Sequence, residues 1–124
     1  MPMIGRTVWA IPGGHIPLES SGREPEHLSQ EQLCVLNATD QDAHLRITIY
    51  YTDRDPVGPY PLTVAARRTR HVRYNDLIAP EAIPLDCDYA SVVESDVPVV
   101  VQVIRQDTSQ AENALMSVIA FPVM

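Results

Sequence analysis

Apolar residues fall in short, interrupted runs along this chain. Over residues 43–52, Leu45, Ile47, Ile49 and Tyr51 alternate with His44, Arg46, Thr48 and Tyr50, the period of a strand with one buried face. Leu33-Cys34-Val35-Leu36 predicts another strand at about 32–38. The intervening Asn37-Ala38-Thr39-Asp40-Gln41-Asp42 is rich in side chains that bond to nearby amides, so the two strands are expected to form an antiparallel hairpin. A first strand, Arg6–Ile11, is expected to stop at Pro12-Gly13-Gly14 and to give way to a polar loop reaching residue 30. Later runs at Tyr89–Glu94 and Val97–Ile104 are β-branched. The second is so continuously apolar that both of its faces need cover, as a central strand or at a subunit seam. Leu115–Phe121 reads as a last strand, and Ser109-Gln110-Ala111-Glu112 has the spacing of a capping box for one helical turn.

The 11 prolines and 5 glycines leave little room for long helices. The expected fold is all-β: an antiparallel β-sandwich of short strands with at most one helical turn, in one domain over residues 1–124. One segment resists simple alternation. Continuing the phase of Leu62 and Val64 puts Arg68 and Arg70 on the buried face, where an unpaired guanidinium is costly. A bulge or tight turn near Ala66–Arg68 is expected to reset the facing; the alternative is acidic partners at a subunit boundary.

A net charge of −7 opposes general attraction to polyanions, so nucleic acid or anionic lipid would need a local basic patch. All nine basic residues are arginine, the side chain suited to bidentate contacts with carboxylate or phosphate. No export signal precedes the first strand, and no apolar run nears the ~20 residues of a membrane helix. Together with two cysteines in strand-like segments, this predicts a reduced, cytoplasmic protein that is not membrane-embedded.

Candidate chemistry is sparse. There is no nucleophile elbow, no zinc-type Cys/His spacing and no phosphate-cradling glycine loop, so no catalytic residue, metal site or cofactor is expected. Cys34, flanked by Leu33, Val35 and Leu36, reads as an inert core thiol. The densest positive charge is Arg67, Arg68, Arg70, His71 and Arg73, suited to phosphate, a carboxylate ligand or an acidic partner, or else to a salt-bridge network. Trp9, the single tryptophan, is either a core anchor or a stacking platform around which His71, Arg73, Gln102, Glu112 and Asn113 supply polar groups.

Several segments taken together carry a family resemblance. Ile4-Gly5-Arg6-Thr7-Val8-Trp9-Ala10-Ile11, Cys34-Val35-Leu36-Asn37-Ala38, Ile47-Thr48-Ile49-Tyr50-Tyr51, Pro56-Val57-Gly58-Pro59-Tyr60 and the run Ala66–Arg73 resemble the soluble sensory rhodopsin transducer family. Asn75-Asp76-Leu77, Val97-Pro98-Val99-Val100-Val101-Gln102 and Gln110-Ala111-Glu112-Asn113-Ala114-Leu115 extend the resemblance over nearly the whole chain. It implies a β-sandwich protomer in a cyclic homotetramer, and a non-enzymatic cytoplasmic protein that relays the signal of a rhodopsin-class membrane photoreceptor or a small polar ligand. The alternatives are a DNA-binding regulator using the arginines on phosphates, and a carbohydrate-type small-molecule binding module.

Overall fold

The computed structural model describes residues 3–16, 30–107 and 114–124. Its elements are antiparallel strands: β1 (Arg6–His15), β2 (Gln30–Asn37), β3 (Ala43–Tyr51), β4 (Val57–Val64), β5 (Arg68–Arg73), β6 (Asp88–Asp107), β7 (Ala114–Ile119) and β8 (Phe121–Pro122). The one helical turn described is a 3-10 turn at Tyr74–Asp76; the turn expected at 109–112 lies outside the described residues. The all-β, antiparallel expectation holds.

The 20-residue strand β6 organises the rest. Its first half pairs with β1 on one side and β3 on the other, through Val93↔Trp9 and Val93↔Ile47. Its second half pairs with β2 and β7, through Val103↔Leu33 and Val103↔Val118. β4 adds to β3, β8 to β1 and β5 to β2. Odd-numbered positions Tyr89, Ser91, Val93, Val99, Val101 and Val103 are buried, while Val92, Val100, Gln102 and Ile104 are half-buried. The run 97–104 is therefore a central strand whose odd face meets the core. Leu33 and Val35 of β2, Leu45, Ile47 and Ile49 of β3, and Tyr60, Leu62 and Val64 of β4 join it in one apolar cluster, the main stabilising term of such a fold.

Three expectations are corrected. β1 runs on through Pro12-Gly13-Gly14 to His15, because a register irregularity between Ile11 and Gly14 absorbs the break. Gly14 is required there by space: a Cβ on it would stand 2.6 Å from the Tyr89 ring. β2 and β3 do not form a hairpin; they pair with opposite halves of β6. Asn37 shapes the crossing between them, donating Nδ2–H to Gln41 O at 2.8 Å and Val64 O at 3.0 Å and accepting from Thr39 N–H at 3.0 Å. That local bonding satisfies a buried polar side chain.

The third correction concerns the arginine phase. A tight turn does occupy Ala66–Arg67, with Arg67 at φ 56° and its N–H donated to Thr39 O at 3.0 Å. It does not move Arg68 and Arg70 off the inner register, since they pair with Asn37 and Val35. They are exposed because, among the described residues, β5 pairs only with β2 and lies at the sheet edge. Edge position, not a change of facing, keeps the guanidinium groups in water.

Candidate functional site

β5 is short because Ala65–Arg67 turns the chain before it and the 3-10 turn takes over after Arg73. Residues 68–71 are all exposed. Arg68 donates Nη1–H to Arg67 O at 3.0 Å, and Arg70 donates Nη1–H to Thr63 O at 2.8 Å, reaching from β5 to β4. Each guanidinium keeps further N–H groups for other acceptors. Arg73 instead makes a two-point contact with Asp76, Nε–Oδ2 3.1 Å and Nη2–Oδ1 3.0 Å. Arg46, Arg54 and Arg105 also pair with carboxylates. Among the described residues Arg67, Arg68 and Arg70 do not. In an acidic chain, three adjoining guanidinium groups without carboxylate partners form a local positive edge.

Of the residues expected to surround Trp9, the described ones, His71, Arg73 and Gln102, do not meet it. Trp9 is 5% exposed, packs in the apolar cluster and donates Nε1–H to Val99 O at 2.9 Å and Arg6 O at 3.1 Å. It is a core anchor with its polar atom satisfied. His71 and Gln102 lie instead on either side of Cys34, their common register partner, on the outer face of the β5–β2–β6 sheet. Arg73 and Ile104 flank Gln32 in the next row. Glu112 and Asn113 lie outside the described residues. Cys34 is 7% exposed, and desolvation pushes its thiol pKa up. It is buried as expected, but its register puts it on the outer face and not in the central cluster.

Cavities beside these elements include the following two. One of about 700 Å³ is lined by the apolar Met3, Ile4, Ala38 and Pro98 together with Thr39, the carboxylate of Asp40 and the cation of Arg67. The other, about 310 Å³, opens at the far end of β1 against His15, Asp88, Tyr89 and Arg105.

Beneath that second cavity is a polar cluster that sequence reasoning missed. Glu31 is 1% exposed. It accepts the Tyr89 hydroxyl in a short hydrogen bond, the His15 backbone N–H at 3.0 Å and Arg105 Nε–H through its other oxygen. Burial, then the Glu31 charge, hold the Tyr89 hydroxyl far above the ordinary phenol range. The Tyr89 ring lies 5.4 Å from that of Tyr74, whose hydroxyl shares a 2.8 Å hydrogen bond with Ser91. On the solvent side the His15 ring bridges Asp88 Oδ1 at 2.7 Å and Asp86 Oδ1 at 3.2 Å. The hydrogen bond to Asp88 leads the effects that raise its pKa. No group of His, Cys, Asp and Glu able to hold a metal ion occurs among the described residues. A signal for the pair was present in the sequence: Glu31 shares the parity of Leu33 and Val35, and Arg105 that of Val101 and Val103.

No helix among the described residues is long and apolar enough to cross a membrane. The sequence model of the Anabaena sensory rhodopsin transducer matches residues 4–122. The solved Anabaena sensory rhodopsin transducer is 55% identical, covering 83% of this chain and 99% of its own, with a TM-score of 0.72. The crystal structure of Thermotoga maritima 1070 is 32% identical over 98% of this chain and 97% of its own, with a TM-score of 0.87. No match was found among curated proteins. A sequence match over almost the full length, together with two superposable folds, places the chain in the Anabaena sensory rhodopsin transducer family.

Proposed function

We propose that this protein is a non-enzymatic cytoplasmic relay: one domain that assembles as a homotetramer, takes up a signal from a rhodopsin-class membrane photoreceptor, and contacts its partner through the Arg67–Arg73 edge. The observation that carries the reading is the coincidence of family membership with Arg67, Arg68 and Arg70, which have no carboxylate partner among the described residues. Complementary charge steers association and fixes register more than it adds affinity, which suits a reversible relay. The test is co-purification of the tagged chain with a rhodopsin-class receptor, with and without Arg67→Gln/Arg68→Gln/Arg70→Gln. Retention that depends on the arginines supports the reading, and retention by neither form overturns it. Light scattering on the purified chain reads the oligomeric state directly.

A second reading, a small polar ligand, is favoured by the cavity of about 700 Å³ beside Arg67 and Asp40. A thermal shift with a sugar or organic anion, lost in Arg67→Ala, supports it. A DNA-binding role draws on the same arginines but works against a net charge of −7.

A further inference from the structure

An antiparallel sheet that ends in an unpaired strand offers a row of backbone N–H and C=O groups to any extended chain. Here β4 is blunted by Pro59 and Pro61, which have no N–H to donate, and β8 is two residues long and ends at Pro122. β7 and β5 are six residues each and free of proline. Of these two, only β5 carries charge. Its exposed residues include Arg68 and Arg70, two apart and therefore on one face, with Arg67 in the turn just before them. Their guanidinium groups are anchored on Thr63 O and Arg67 O, not on carboxylates.

That pattern selects its occupant. A second copy of β5 laid antiparallel along the edge would set arginine and histidine against arginine, and like charges opposite each other destabilise a strand pair. An extended segment with carboxylates at alternate positions would place them opposite Arg68 and Arg70 while completing the backbone ladder. We propose that β5 is a strand-addition site for an acidic, extended peptide segment of a protein partner, with Arg68 and Arg70 selecting the carboxylates and the β5 backbone supplying the pairing. The proposal rests on the reading of the arginine edge as a contact surface and names the kind of segment it holds.

The experiment is fluorescence anisotropy on the full chain with three labelled peptides. One alternates Glu and Val, one has Lys in place of Glu, and one is the Glu peptide N-methylated at alternate residues. The Glu peptide is expected to bind and to weaken with added salt, and the Lys peptide to stay free. N-methylation is expected to abolish binding, and Arg68→Gln/Arg70→Gln to weaken it by about tenfold or more. Both arginines are exposed, so an unchanged melting curve for this variant separates lost binding from lost fold. Equal binding of the N-methylated peptide, or binding indifferent to the two arginines, overturns strand addition. So does a DNA duplex that binds through these arginines when the Glu peptide does not. If receptor co-purification needs the arginines but no peptide binds, the relay reading stands and the strand-addition site falls.

Discussion

Glu31 and Arg105 are register partners across β2 and β6, and their side chains meet on the inner face of the sheet, the carboxylate 1% exposed and the guanidinium Nε bonded to its Oε2. The Arg105 side chain is 34% exposed, so the buried charge of the pair is the Glu31 carboxylate, and removing the guanidinium strands it. Arg105→Met is therefore expected to destabilise the fold by about 3 kcal/mol. Adding Glu31→Gln to that variant should recover part of the loss, the non-additivity expected of residues in contact. Urea unfolding of the two single variants and the double variant measures it.

Gly13 and Gly14 are adjacent but answer to different constraints. A Cβ on Gly13 meets nothing within 4 Å, whereas one on Gly14 enters the ring of Tyr89, which is itself held by Glu31. Gly14→Ala is expected to cost about 1–3 kcal/mol as an overpacking change, and Gly13→Ala to stay within about 0.5 kcal/mol of the parent. Thermal melts of the two variants distinguish a spatial requirement from a general need for glycine in this bulge.

The pKa of His15 is raised from 6.5, chiefly by its hydrogen bond to Asp88, and burial opposes the rise. A folded-state pKa above the unfolded one means that the folded protein binds the proton more tightly. This contribution to stability is fully present below about pH 6.5 and is lost as pH rises through the folded value. His15→Gln is expected to remove that slope from the melting temperature across neutral pH. Asp96 behaves in the opposite sense: the backbone N–H and ring of His44 lower its pKa from 3.8. Its contribution is present above about pH 3.8 and is lost as pH falls through the lower folded value, a slope that Asp96→Asn should flatten.

As the single tryptophan, Trp9 reports on the core. Its emission is expected to be blue-shifted and resistant to iodide quenching in the folded state, and to be unmoved by ligands that bind the arginine edge. Trp9→Phe gives up the indole N–H bond to the carbonyl of Val99 and is expected to cost about 1–3 kcal/mol in urea unfolding.

Alternation within a strand was legible from the sequence, although the local stop expected at Pro12-Gly13-Gly14 was absorbed into β1. Alternation at Leu45, Ile47, Ile49 and Tyr51 located β3 and its buried face, and the phase of Leu62 and Val64 carried on to Arg68 and Arg70, as their register opposite Asn37 and Val35 shows. The resemblance to the transducer family was likewise a matter of residues in order. Pairing between distant segments was set by the three-dimensional fold. Twenty residues of β6 serve two sets of neighbours, so β2 and β3, adjacent in sequence, part to opposite halves of it. Parity marked Glu31 and Arg105 as core-facing, but the register that joins them across 74 residues is set by strand pairing, which no local pattern encodes. The exposure of Arg68 and Arg70 has the same origin: their phase points inward, and they reach water because no strand among the described residues lies beyond β5.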